Sequence, residues 1–264
     1  MIGIFDSGLG GLTVVKQVFK NLPQYKIVYF GDTAHLPYGT KSNETIVKYS
    51  ISNTEFLLRH GAKIIIVACH TASSIAGDVL RKKFPNIPIF DVVVGGLREA
   101  ARVSKHKNIG IIGTAATIKS NVHENFLKKL DPKIKVMTQS CPLLVPLIEE
   151  GWQNRSETKQ IIRHYLRPMK NAHIDTLILA CTHYPLLRKA FANILSSQVK
   201  IVDPAEAVVQ EVKKFLQKNS QIEKQLEQNG AKHKFFVSDK PYRYDEFSKK
   251  ILGQAIDFEV VNIE

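Results

Sequence analysis

Two cysteines in matching settings carry the clearest chemical signal in this chain. Cys69 lies in Lys-Ile-Ile-Ile-Val-Ala-Cys-His-Thr-Ala-Ser over 63–73, and Cys181 in Ile-Asp-Thr-Leu-Ile-Leu-Ala-Cys-Thr-His-Tyr-Pro over 174–185. Each follows a short apolar run that reads as a strand buried on both faces. Each is preceded by Ala and followed by a polar pair, His70-Thr71 or Thr182-His183. Thr71 is the expected N-cap of the helix that leaves the first of these turns. A thiol with a pKa of about 8.5 can act as nucleophile, metal ligand, or general acid and base. A free cysteine can also be no more than a small buried hydrophobe. One strand-end cysteine fits that last description; two in the same context point to a pair.

Three chemistries compete for such a pair. Cys69, His70, Cys181 and His183 contain the Cys₂His₂ set that holds zinc, yet adjacent Cys69 and His70 point apart and no CxxC or HxxxH spacing occurs. A redox dithiol is the weaker reading, because such pairs sit close in sequence as CxxC. If the two turns face each other across a cleft, one thiolate can take a proton from a carbon acid while the other thiol returns one to the opposite face. That inverts a stereocentre without a ring cofactor, provided donors stabilise the carbanion-like transition state and water is excluded. Asp6 and His183 would assist, one beside each thiol. The Asp6-Ser7-Gly8-Leu9-Gly10-Gly11 turn reads equally as an anion cradle of backbone N–H groups or as a tight turn. Gly113-Thr114-Ala115-Ala116-Thr117 gives a weaker version of the same hint.

The elements that must position these residues alternate between strand and helix. Strands are expected at 2–5, 27–30, 64–67 and 87–94, with helices between them and Gly95-Gly96 as a hinge or turn. The pattern then restarts: Asn108-Ile-Gly-Ile-Ile-Gly-Thr114 echoes Met1-Ile-Gly-Ile-Phe-Asp-Ser7. A helix over 115–130, a strand at 134–137, helices to Met169 and the Cys181 strand follow. Beyond Pro204 a helical stretch to about Gln228 precedes a strand at 233–237, a helix at 242–252 and a strand at 258–261. Alternation of this kind implies an α/β fold with mostly parallel sheets and right-handed crossovers. We expect two pseudo-symmetric α/β domains, 1–94 plus 206–264 carrying Cys69 and 95–205 carrying Cys181, with the active site in the cleft between them.

Bulk properties narrow the class. The chain has 264 residues, 44% of them hydrophobic, with no apolar run near the roughly 18 residues of a membrane span. No signal peptide is evident at the N-terminus, and three cysteines argue for free thiols in a reducing cytoplasm rather than a disulfide scaffold. The net charge of +13 raises the question of nucleic acid. The densest basic groups, at 81–83, 128–129, 213–214 and 249–250, are short, and without an aromatic or zinc motif they read as solvated helix faces.

Six segments in order resemble the cofactor-independent glutamate racemases of the aspartate/glutamate racemase superfamily. They are Phe5-Asp6-Ser7-Gly8-Leu9-Gly10-Gly11-Leu12-Thr13-Val14, Tyr29-Phe30-Gly31-Asp32-Thr33, Pro37-Tyr38-Gly39, Ala68-Cys69-His70-Thr71-Ala72-Ser73, Cys141 to Gly151, and Cys181-Thr182-His183-Tyr184-Pro185. The resemblance implies interconversion of L- and D-glutamate for peptidoglycan synthesis, with no cofactor and no metal, in a cytoplasmic homodimer that requires neither nucleic acid nor a membrane. It makes Cys69 and Cys181 the acid-base thiols, assisted by Asp6 and His183, with Glu149 as an auxiliary. It assigns the substrate to Ser7, Tyr38, Gly39, His70, Thr71, Thr114, Thr117 and Thr182. The chain departs from the pattern at His70, where the family usually has Asn, at His35, often Arg, and at Pro204, commonly Ser.

Overall fold

The computed structural model describes residues 1–226, 232–240 and 242–263. Along the first half run β1 (Ile2–Asp6), α1 (Leu12–Asn21), β2 (Ile27–Gly31), α2 (Asn43–Arg59), β3 (Ile64–Val67), α3 (His70–Lys83), β4 (Ile89–Asp91) and α4 (Val92–Val103). The second half contains β5 (Asn108–Gly113), α5 (Ala115–Lys119), α6 (Val122–Leu130), β6 (Lys135–Ser140), α7 (Leu144–Glu149), α8 (Ser156–Asn171), β7 (Thr176–Ala180), α9 (Arg188–Ile194) and β8 (Lys200–Val202). Then come α10 (Pro204–Lys218), α11 (Ser220–Glu223), β9 (Lys234–Val237), α12 (Tyr244–Leu252) and β10 (Glu259–Val260). Residues 227–228, the end of the expected helical stretch, lie outside the described residues.

Two sheets form, and every strand pairing in them is parallel. Their orders are β10-β9-β2-β1-β3-β4 and β6-β5-β7-β8. The first four strands of each half therefore take the same order, second-first-third-fourth, so the repeat glimpsed in Ile-Gly-Ile extends to the topology. The inner strands β1, β2, β3 and β7 are buried along their whole length. That is why they read as unbroken apolar runs rather than alternating ones. In a sheet of this order the chain leaves the first and third strands in opposite directions, which opens a crevice at their carboxyl ends. Asp6 and Cys69 end or follow β1 and β3; Thr114 and Cys181 follow β5 and β7.

Three expectations are corrected. The strand expected over 87–94 stops at Asp91, whose carboxylate accepts hydrogen bonds from Val93 N at 2.9 Å and Val94 N at 3.0 Å and so starts α4. A cap of this kind, together with burial of Val92, Val93 and Leu97, outweighs the β preference of three valines. Gly95-Gly96 is no hinge but the interior of α4. A Cβ on Gly96 would stand 2.7 Å from Pro204 Cβ, so the glycine lets α4 and α10 cross at close range. The helix expected over 115–130 breaks in two at Asn121, which takes the left-handed conformation at φ 57°.

Gly96→Val drives a branched side chain into Pro204. It should cost about 1–3 kcal/mol, read as a lower denaturant midpoint with an unchanged m-value.

Candidate active site

Cys69 opens α3. Its Sγ accepts a hydrogen bond from Ala72 N at 3.5 Å, so the cysteine itself is the N-cap, the helix starts two residues earlier than the sequence suggests, and Thr71 lies inside the first turn. The sulfur also reaches Ser7 Oγ at 3.5 Å. Burial and the nearby Asp6 carboxylate push the Cys69 thiol up to about 12, against these two hydrogen bonds. Asp6 is fully buried; one oxygen accepts from Gly8 N at 3.1 Å and the other from the Thr182 hydroxyl at 3.4 Å. Burial raises its pKa, opposed by the charge of His183 and by these donors.

Cys181 has a different neighbour. His183 places Nδ1 3.9 Å from its Sγ and Nε2 3.0 Å from Glu149 Oε1. Burial works against a charged imidazole, but the hydrogen bonds and charges of Cys181 and Glu149 outweigh it and hold His183 up at about 10. A positive ring beside Cys181 and a carboxylate near Cys69 place the two sulfurs in opposite local fields.

Both thiols line one cavity of about 350 Å³, at the small end of the range for ligand sites. Ser7, Tyr38, Gly39, His70, Thr71, Thr114, Glu149, Thr182 and His183 line it too. Asp6 and Thr117 stand behind this wall and act on it through partners. Thr71, Thr114 and Thr117 form a triangle of hydroxyls, with oxygens 2.9–3.1 Å apart, that joins the two halves. Tyr38 donates its hydroxyl to Asp32 and accepts from Asn53 Nδ2 at 3.0 Å; burial and the Asp32 charge keep the phenol protonated.

The glycine-rich turn resolves as a packing surface. A Cβ on Gly10 would lie 2.4 Å from Thr182 Oγ1 and 2.6 Å from His183 Nδ1, so glycine is what lets the second cysteine's turn dock there. Thr13 Oγ1 reaches Thr182 O at 3.2 Å at the same contact.

Cys141, which was not among the expected site residues, also lines the cavity. It follows β6 as Cys69 follows β3 and Cys181 follows β7, and that strand-end position was the available signal. Its thiol is fully buried and raised by burial, with Gln139 O at 3.7 Å. For the zinc reading, no three His, Cys, Asp or Glu side chains group as metal ligands among the described residues.

His70 stacks its ring on His123, centroids 5.9 Å apart, and both rings are buried. His70 Nδ1 and both His123 nitrogens have no hydrogen-bond partner. Burial therefore lowers both pKa values, His123 from 6.5 to about 4. Between these two values the unfolded chain binds more protons than the folded one. Stability is thus complete above pH 6.5 and falls as pH drops through 6.5 toward 4, by up to about 3 kcal/mol from His123. In His123→Phe, urea midpoints measured across that window should fall less steeply.

Comparison with known proteins matches this architecture. The Asp/Glu/Hydantoin racemase family model matches residues 9–212. A glutamate racemase of Geobacter metallireducens is 42% identical over 264 residues, covering 100% of this chain and 97% of the relative. The glutamate racemase of Francisella tularensis subsp. tularensis SCHU S4, crystallised in complex with D-glutamate, superposes with a TM-score of 0.91 at 35% identity, over 100% of this chain and 97% of the other. Glutamate racemase isoform RacE1 of Bacillus anthracis gives 0.90 at 34% identity, over 99% and 97% of the two chains. With matched strand orders, paired strand-end thiols and similarity along its whole length, the chain belongs to the Asp/Glu/Hydantoin racemase family.

Proposed function

We propose that this chain is a glutamate racemase, an isomerase that interconverts L- and D-glutamate by two-thiol acid-base chemistry and supplies D-glutamate for peptidoglycan. The observation that carries the reading is the arrival of Cys69 and Cys181, from equivalent strands of two like sheets, at one small cavity. Full-length similarity to glutamate racemases supports glutamate among the carbon acids.

In one direction Cys181 Sγ, as thiolate, takes the α-proton, and the S–H of Cys69 protonates the opposite face of the planar carbanion. The cycle ends with Cys181 protonated and Cys69 ionised; the reverse direction starts from that state. His183, charged and bonded to Glu149, balances negative charge on Cys181. Asp6 acts on Cys69 through its charge, which favours the protonated thiol. The hydroxyls of Ser7, Thr71 and Thr114, with the backbone N–H groups of Tyr38, Gly39 and Thr182, are the donors for the substrate's carboxylates, since the Tyr38 and Thr182 hydroxyls are committed to Asp32 and Asp6, and His70 adds a neutral ring. Hydrogen bonds to the α-carboxylate that strengthen as charge develops lower the barrier to forming the carbanion.

We read residues 1–94 plus 206–264 and 95–205 as the two domains, supported by the return of β9 and β10 to the first sheet. No helix among the described residues is long and apolar enough to cross a membrane. A cytoplasmic homodimer rests on the family resemblance, and sedimentation velocity tests the dimer.

Proton NMR in D₂O with purified protein tests the function. The α-proton signal of both L- and D-glutamate should vanish without added cofactor, with aspartate untouched. Exchange of aspartate alone would keep the two-thiol chemistry and overturn the substrate. Cys69→Ser and Cys181→Ser should each lower kcat/KM by about 10²–10⁴-fold, the range of a positioned acid-base group. Full activity in either variant rejects the mechanism.

A further inference from the structure

Helix α8 presents a cationic stripe that the racemase chemistry does not use. Arg155, at the N-cap, Lys159, Arg163 and Arg167 recur every four residues, and Lys170 falls among them, so at 3.6 residues per turn the four within the helix share one side of it. All five are exposed, while Thr158, Ile162, Leu166 and Met169 bury the adjoining side. Because the five never adjoin in sequence, they are missing from the basic runs that a linear scan finds.

Lys159, Arg163, Arg167 and Lys170 line a groove of about 600 Å³ between α8 and α9, floored by Leu166 and Ile194. No acidic side chain lines it. None of these four cations has an ion pair or side-chain hydrogen bond among the described residues. Several arginines elsewhere are paired: Arg98 with Glu211, Arg102 with Glu99 and Arg243 with Glu246. The larger cleft of about 1200 Å³ by α4 and α10 carries both signs and includes two of those pairs. The α8 groove, by contrast, has four cations and no acidic side chain in its lining.

The row from Lys159 to Lys170 runs about 16 Å at 1.5 Å per residue. A single phosphate reaches one or two of these side chains, whereas a linear polyanion engages the whole row. At the head of the row stands Trp152, 43% exposed, with the Arg155 guanidinium 5.7 Å from its ring centroid. An exposed indole beside arginine is a platform for a stacked base, and cations tracking onward from it suit the phosphates that follow. An acidic peptide or inorganic polyphosphate uses the charges and leaves the indole idle. We propose that the α8–α9 groove binds single-stranded nucleic acid, gripping the backbone with this row and stacking a base on Trp152.

The test uses the full chain, fluorescein-labelled dT20 and two signals, anisotropy of the label and emission of Trp152, the only tryptophan. Quenching of Trp152 should saturate together with the anisotropy. The slope of log K against log salt should be about −3, from four to five neutralised phosphates at about −0.7 each. Arg163→Glu/Arg167→Glu, changed at exposed positions, should bind at least tenfold more weakly and lose about 1.4 from that slope. Its far-UV circular dichroism and glutamate turnover should match the parent, and the binding result stands whatever the turnover shows. Unaltered binding by the double variant, or a silent Trp152 on saturation, overturns the proposal. So does tighter binding of poly-glutamate or phosphatidylglycerol vesicles than of dT20, which reassigns the groove to an acidic protein or an anionic membrane.

Discussion

The site depends on one close contact, the docking of the Thr182-His183 turn onto Gly10. With no Cβ at Gly10, the end of β7 comes within reach of the end of β1, and Asp6 receives the Thr182 hydroxyl from across the chain. A side chain at Gly10 would meet Thr182 Oγ1 at 2.4 Å, a separation no packing tolerates, and the two cysteine turns would have to part. The hydroxyl triangle of Thr71, Thr114 and Thr117 closes the other side of the cavity by the same means, short polar side chains meeting across the halves. A cavity only about 350 Å³ in volume follows from two contacts with little slack.

Within that enclosure, burial competes with pairing, and the winner differs at the two thiols. Taking an ion out of water costs several kcal/mol, offset only where partners are close and well aimed. His183 has two such partners, Cys181 and Glu149, and stays charged to about pH 10. Cys69 has a hydroxyl and a backbone N–H, while Asp6 nearby carries the wrong sign, and its thiol rises to about 12. The duplicated scaffold thus yields two sulfurs in equivalent places with opposite surroundings. Under the proposed two-thiol reaction, a proton taken on one face and returned on the other calls for unlike surroundings of this kind.

Much of this was legible in the chain. Strands buried on both faces announce themselves as β-branched runs, and the Ala-Cys endings at Ala68-Cys69 and Ala180-Cys181 marked the two halves of the site. Asp6 and His183 follow from the two-thiol reading and Glu149 from the motif resemblance; His183 and Glu149 line the cavity and Asp6 stands behind it. Less legible was whatever depends on a contact between distant segments. Val92–Val94 looked like strand because the Asp91 cap and the burial against α10 act from outside the valine run. Gly95-Gly96 looked like a hinge because a helix interior that needs glycine shows no sign of it until Pro204 is laid against it. His123 had no local pattern at all; its meaning lies in the ring of His70, 53 positions away in sequence.

By itself the sequence determined the alternation of elements, the two thiol turns and the family, because these are set by local periodicity and by residue types in fixed order. Only the tertiary structure decided that Cys69 caps its own helix, that Cys141 joins the cavity, that the glycine turn is a docking surface, and that scattered basic residues of α8 gather into one groove. Each of these arises where helix geometry or sheet order brings together residues that are far apart along the chain. Such proximity is a property of the fold rather than of any stretch of sequence.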